Sequence, residues 1–219
     1  MNSYEFVQQM EQILDTTLVG LDNLELVESE SKGNVEIIPL LKIALKNEIE
    51  ASQLAALWII TTPEIDVKLG YARQAGDEAK HYRLIEKRLT EMGVDLSGFD
   101  PLQTGLSPMY NALAEIPDTV SRLAAGQFTR EKIAVKRNLQ FIKFCESRGD
   151  VETAKLYSET IQPDENYHHL LGKTMLEKYA VTEADQTRAR QAVKKTLEIA
   201  EELRGIAANK LGVCQIPGC

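Results

Sequence analysis

Long stretches of the chain repeat apolar residues every three or four positions, and no clear run alternates apolar and polar residues between turn signals. This pattern is typical of amphipathic helices, so the fold class is predicted to be all-α. The predicted helices cover approximately residues 4–27, 37–60, 62–92, 118–148, 150–179 and 182–211. In the first helix, Phe6, Met10, Ile13, Leu14 and Leu18 are expected to face inward.

The lengths of the connections predict the topology. Only a few residues separate helices 37–60 and 62–92, and the same holds for helices 118–148 and 150–179, so each pair should form an antiparallel hairpin. The hairpins are joined by a long crossover, residues 94–117, with room for a short helix near 110–115. Two hairpins and one long crossover describe a ferritin-like four-helix bundle. We therefore predict a single domain, residues 1–219, with a core bundle at 37–179 and extra N- and C-terminal helices.

Helix boundaries are predicted from capping residues. Thr62 is the expected N-cap of the second bundle helix, with Pro63 at its first helical position. Asp118, Asp150 and Thr182 are expected to begin the three later helices.

Composition and charge narrow the possible functions. The net charge of −8 and the pI near 5.1 give no support for nucleic-acid binding, which needs a basic surface. No apolar run approaches the roughly 20 residues that span a bilayer, and the first residues lack the features of a signal peptide. We therefore expect a cytoplasmic protein with no membrane partner. Cys145, Cys214 and Cys219 are expected to be reduced thiols, the last two in a mobile tail.

An internal repeat carries the candidate chemistry. Residues 77–81 and 164–168 both read D-E-x-x-H. Glu48 lies 30 residues before the Glu of the first motif, and Glu131 lies 34 residues before the Glu of the second. Each half of the chain is thus predicted to be a hairpin that carries one Glu on its first helix and E-x-x-H on its second.

This repeat predicts a site for two metal ions. Spacing i, i+3 places the Glu and His of each motif on one helix face, so both can reach the same ion. Four carboxylates carry a charge of −4, which two divalent ions balance, and mixed N/O ligation without thiolate favours iron or manganese over structural zinc. The predicted ligands are Glu48, Glu78, His81, Glu131, Glu165 and His168.

Two of these ligands have competitors in the sequence. Glu50 competes with Glu48 for the inward position on its helix. Pro163 should kink the helix just before Glu165, which would leave Glu159 as the alternative. Glu165 is preferred because His168 follows it at the required spacing. His169 is expected near the site or at the surface, and Trp58 is expected in the core.

At these residues the sequence resembles the ferritin-like di-iron carboxylate superfamily, which takes one Glu from each of two helices and Glu-x-x-His from each of the other two. The resemblance covers residues 37–179. It implies that Glu78 and Glu165 bridge two iron ions, with manganese or a mixed Mn/Fe pair as the alternative cofactor. By the same resemblance, Glu48, Glu78 and His81 would hold mainly one ion, and Glu131, Glu165 and His168 the other.

Several functions fit this resemblance. One is an O₂-activating oxidase or monooxygenase that oxidises or hydroxylates an unknown small organic substrate and takes electrons from an external donor. Another is a rubrerythrin-like peroxidase or a ferroxidase that reacts with peroxide or O₂. A non-enzymatic iron-binding protein is the third. A homodimer packed through a bundle face is common in this superfamily.

Overall fold

The computed structural model describes residues 1–19, 36–211 and 217–218, and all regular secondary structure in these residues is helical. The predicted fold class is therefore confirmed at the level of all-α. Within the described ranges there are seven helices: α1 Ser3–Leu18, α2 Ile37–Thr61, α3 Ile65–Glu91, α4 Pro108–Ala114, α5 (119–147), α6 (151–179) and α7 Glu183–Leu211. The predicted end of the first helix and the residues Cys214 and Cys219 lie outside the described residues.

Most of the predicted helix starts are confirmed by the capping contacts. The Asp118 carboxylate accepts a hydrogen bond from the backbone N–H of Ser121 at 3.0 Å, and Asp150 caps α6 in the same way through Thr153. The Thr182 hydroxyl accepts from the N–H of Asp185 at 3.1 Å. These side chains fix where α5, α6 and α7 begin.

The predicted start of the second bundle helix at Thr62 is wrong. Thr62 instead ends α2, and its hydroxyl accepts a hydrogen bond from Arg122 at 3.1 Å. Helix α3 begins at Ile65 with Glu64 as its N-cap residue, and the Glu64 carboxylate accepts a hydrogen bond from Thr119 at 2.6 Å. The turn side chains therefore contact the start of α5 rather than cap α3.

The helices pack as two pairs with additional helices around them. Residues 62–64 join α2 to α3 and residues 148–150 join α5 to α6, while the longer crossover between the pairs contains α4. Helix α6 packs against α5 and α3, α1 packs on α6, and α7 packs on α5. None of the helices among the described residues is both long enough and apolar enough to cross a membrane.

Buried apolar side chains form two clusters along the helix pairs. One cluster contains Trp58, Tyr71 and Phe128, and extends to α1 and α7. The other contains Leu45, Ile85 and residues of α5 and α6 near the opposite end. Between the clusters, α2, α3, α5 and α6 each carry buried polar residues instead. The expectation that Ile13 faces inward is wrong, because this residue is 53% exposed.

Candidate metal centre

All six predicted ligands lie together in the polar layer between the two apolar clusters. Helix α2 supplies one Glu, α5 supplies another, and α3 and α6 each supply a Glu and a His. Every one of these side chains is at most 1% exposed: Glu48, Glu78, His81, Glu131, Glu165 and His168. The repeat in the sequence therefore corresponds to a single buried cluster.

The six residues form two overlapping groups. Ligand atoms of Glu48, Glu78, His81 and Glu165 all lie within 4.8 Å of one another. The second group has the same limit and consists of Glu78, Glu131, Glu165 and His168. Glu78 and Glu165 belong to both groups, which is the position that a bridging carboxylate needs.

The competing glutamates lie in different surroundings. Glu48 lies in the cluster, with its Oε2 atom 3.4 Å from His81 Nδ1. Glu50 is buried too, but its carboxylate turns toward the crossover and accepts a hydrogen bond from the N–H of Ser107 at 2.8 Å. Glu159 is exposed, whereas Glu165 is fully buried in the cluster.

A π-helical segment precedes the ligands on α5 and on α6. On α5 it spans Ala124–Arg130 and ends immediately before Glu131. On α6 it spans Tyr157–Ile161, and Pro163 then falls in the first turn of the following α-helical segment, Gln162–Tyr179. A π segment shifts the hydrogen-bond register, so a proline directly after it is tolerated better than one inside a regular helix. The expected local disturbance at Pro163 is thus a widened turn ahead of Glu165.

Both histidine rings point the same nitrogen at the cluster. His81 Nδ1 lies 3.2 Å from Glu78 Oε2, and His168 Nδ1 lies 3.4 Å from Glu78 Oε1. The other nitrogen of each ring faces an aspartate on the opposite helix: His81 Nε2 is 3.1 Å from Asp164, and His168 Nε2 is 3.1 Å from Asp77. A carboxylate in this position fixes the ring orientation and strengthens the imidazole as a metal ligand.

These aspartates had no predicted role, although they are the first residue of each D-E-x-x-H motif. Each motif therefore contains two candidate ligands and an aspartate that contacts the histidine of the other motif. The presence of Asp in both copies of the internal repeat was the one feature of the sequence that could have indicated this role. The contact of each aspartate with the histidine of the other motif depends on the packing of α3 against α6, which the sequence pattern does not predict.

Buried amides hold two of the carboxylates. Gln74 donates hydrogen bonds to Glu78 Oε1 at 3.2 Å and to Glu131 Oε1 at 2.8 Å. Gln127 in turn donates to Gln74 Oε1 at 2.6 Å. This chain of amides positions a ligand from each helix pair and was not predicted from the sequence.

The protonation of the cluster reflects the crowding of its carboxylates. Burial, with the charge of Glu78 nearby, raises the pKa of Glu48 to about 7, and burial beside other carboxylates raises the pKa of Glu165 well above its usual range. Burial alone would also raise the pKa of Glu78, but contacts with both histidines lower it below its usual range. Hydrogen bonds with Glu48 and Glu78 overcome the effect of burial and raise the pKa of His81 to about 12. Asp77 and Glu78 likewise overcome burial and raise the pKa of His168 to about 8.

The residues fit a pair of divalent cations. Glu48 Oε1 and His168 Nδ1 are buried without a hydrogen-bond partner, which is costly unless another group satisfies them. Two divalent ions would satisfy both atoms and balance the four carboxylates. Cys145, a buried free thiol, belongs to neither group of candidate ligands, so the donors are nitrogen and oxygen only.

His169 is not a candidate ligand but connects the site to α1. Its ring lies 2.9 Å from the carbonyl oxygen of Phe128, in the π segment of α5, and 3.1 Å from Glu11 of α1. Glu11 also accepts a hydrogen bond from Lys132 at 2.7 Å. The N-terminal helix is thus tied to the residues that flank Glu131 and His168.

A comparison of this chain with protein-family models, with curated proteins and with solved structures found no match.

Proposed function

We propose that this chain is a ferritin-like protein that holds two metal ions between α2, α3, α5 and α6. The observation that carries the proposal is the sharing of Glu78 and Glu165 by two adjacent groups of candidate ligands. Two ions that share carboxylates are a recurrent arrangement for chemistry on oxygen, because the bridges hold both ions near one reactant.

Iron is the proposed metal, with manganese or a mixed Mn/Fe pair as the alternative. Carboxylate and imidazole ligands suit either metal, and the absence of thiolate from the two groups argues against a structural zinc site. With four carboxylates and neutral histidines, the site is neutral when both ions are divalent. Neutrality matters here because the six side chains are almost completely buried.

We further propose that the protein is an oxidoreductase that activates O₂ to oxidise or hydroxylate an organic substrate. The metal pair would supply the electrons and binding sites for O₂. The chain contributes the four carboxylates, the two oriented imidazoles and a surrounding of apolar clusters that excludes water. Helices α1, α4 and α7 pack outside the bundle of α2, α3, α5 and α6, and their residues could line a substrate site. An external electron donor, a cytoplasmic location and a homodimer stay predictions.

A rubrerythrin-like peroxidase or ferroxidase is the second candidate function. The observation that favours it is the almost complete burial of all six side chains, which suits a reactant as small as peroxide. The sequence has no pair of C-x-x-C motifs that would bind an iron for electron transfer, so this function also needs an external electron donor.

Metal content is the first test. The purified protein should contain two iron or manganese ions per chain, and its optical spectrum should change on anaerobic reduction and again on adding O₂. Glu165→Ala should lower the metal content, whereas Glu159→Ala, a matched change at an exposed glutamate on the same helix, should not. A protein that binds neither metal, or an unchanged metal content in Glu165→Ala, would contradict the proposed site.

Product analysis separates the candidate functions. An organic product that incorporates oxygen from labelled O₂ supports the hydroxylase. An oxidised organic product that forms with consumption of O₂ but carries no label supports the oxidase. Rapid turnover of peroxide by the reduced protein, without labelled product, supports the peroxidase. Stable metal binding with neither reaction supports a non-enzymatic iron-binding protein.

A further inference from the structure

Pro217 and Gly218 lie buried beside the candidate metal centre, far in sequence from the helices that form it. A Cβ atom built on Gly218 would lie 3.3 Å from Oε1 of Glu48 and 3.4 Å from Cβ of Asn47. The backbone of Gly218 therefore lies close to a proposed ligand, with little space between them. We call these two residues the 217–218 segment.

Two side-chain amides hold the segment across the helix pairs. Asn47 of α2 donates a hydrogen bond to the carbonyl oxygen of Pro217 at 3.1 Å. The N–H of Gly218 donates to Oδ1 of Asn138 on α5 at 2.8 Å. Asn138 is fully buried and lies seven residues after Glu131, which places both on the same face of the helix. The segment thus spans the gap between α2 and α5 on the Glu48 side of the centre.

Gly218 meets two local requirements at this position. Its φ of +83° lies in the left-handed region, which residues with a side chain rarely adopt. The contact distance to Glu48 leaves little room for a side chain. The segment approaches Glu48 closely but gives its Oε1 atom no hydrogen bond. The segment therefore fills the space beside Glu48 but leaves the Oε1 atom of Glu48 without a hydrogen bond.

We propose that the 217–218 segment is a removable cover over the Glu48 side of the metal centre, and that its displacement admits metal ions and small reactants. This inference rests on the proposed metal site. The described contacts of the cover with α2 and α5 include two hydrogen bonds, one donated by the Asn47 side chain and one accepted by the Asn138 side chain, whereas the helices are held by the apolar clusters. A segment held in this way opens far more often than the bundle unfolds. Movement of Gly218 would expose Glu48 Oε1 to an incoming ligand.

The test measures how fast a chelator removes the metal. Protein loaded anaerobically with Fe²⁺ is mixed with excess bipyridine, and release is followed by absorbance. Ending the chain at residue 216 should leave the number of bound ions unchanged and speed release about tenfold or more. Asn47→Ala, which removes one anchoring hydrogen bond, should speed release about twofold to tenfold. Gly218→Val should resemble the shortened chain, because the valine cannot fit against Glu48.

Asn111→Ala is the matched control, because Asn111 is an exposed asparagine whose amide bonds a backbone oxygen away from the centre. Its release rate should equal that of the unchanged protein. Hydrogen exchange gives a second measurement that needs no metal: the Gly218 amide should be protected, and Asn47→Ala should reduce the protection. Equal release rates in the full and shortened chains, or an unprotected Gly218 amide, would contradict the proposed cover but not the proposed metal site. A chain that binds no iron at all would instead overturn the proposed function.

Discussion

Raising the pH should destabilise the metal-free protein between pH 5 and pH 8. The cause is the buried centre, where Glu48 has a pKa of about 7 instead of 4.5 because burial and the nearby Glu78 disfavour its charged form. The folded chain therefore holds a proton that the unfolded chain releases. The bound proton of Glu48 therefore contributes to the free energy of unfolding in full below pH 4.5, and this contribution is lost as the pH rises through 7.

The size of the effect follows from the pKa difference. For Glu48, the loss in the free energy of unfolding between pH 5 and pH 8 is about 2 to 3 kcal/mol. His168 acts in the same direction, because Asp77 and the neighbouring glutamates raise its pKa from 6.5 to about 8 against the effect of burial, and it adds about 1 to 2 kcal/mol. His81 also acts in this direction, because it stays protonated in the folded chain while the unfolded imidazole loses its proton near pH 6.5. The lowered pKa of Glu78 matters only below pH 4.5, outside this range. Together these losses are a large part of the stability of an ordinary domain.

Urea unfolding of the metal-free protein at pH 5 and pH 8, followed by circular dichroism, measures this difference. Glu48→Gln should remove most of the Glu48 contribution. Glu50→Gln, a change at an equally buried glutamate that contacts Ser107 instead of the cluster, should leave the pH dependence unchanged. Equal or greater stability at pH 8 would refute the assignment of bound protons to the centre.

Three further outcomes are expected. Loading two divalent ions at pH 7 should release about three protons, measured with a pH indicator, because the metal displaces protons from its ligands. Asp164→Asn should weaken metal binding about 10- to 100-fold in chelator competition, because His81 loses its orienting carboxylate, whereas Asp95→Asn at an exposed turn should not. Gly172→Ala should lower the free energy of unfolding by more than about 2 kcal/mol, because its Cβ would lie 2.5 Å from a backbone nitrogen of α5. Gly76→Ala, at an open helix position, should instead raise it by about 0.5–1 kcal/mol, so equal thermal shifts in the two variants would contradict this explanation.

The helices were predictable because their boundaries are local properties. Asp118 and Asp150 cap helices through their own side chains, and a pattern of apolar residues three or four apart needs only one partner surface. Thr62 was predicted wrongly because its tertiary contact with Arg122 replaces capping. The π segments could not be read from the sequence, since they depend on how α5 and α6 pack against neighbouring helices.

The candidate ligands were predictable because spacing on a helix limits which side chains can meet. Glu78 with His81, and Glu165 with His168, follow directly from the i, i+3 rule. The choice of Glu48 over Glu50 needed the structure, because both side chains are buried and only their direction differs. The amides and aspartates that hold the ligands act between helices, so no single-helix pattern could identify them.

The crosswise contacts between the two motifs bear on how such a centre can arise. Asp77 orients the histidine of the second half of the chain, and Asp164 orients that of the first half. Neither hairpin contains all the contacts that its own histidine needs. Each hairpin nevertheless carries one copy of every component: a lone glutamate, a shared glutamate, a histidine and an aspartate that orients the histidine of the other hairpin. Two identical hairpins meeting about a twofold axis would therefore contain a full set. A single-hairpin protein that forms a dimer could therefore have been the ancestor of this centre. Duplication and fusion of its gene would then allow the two halves to diverge.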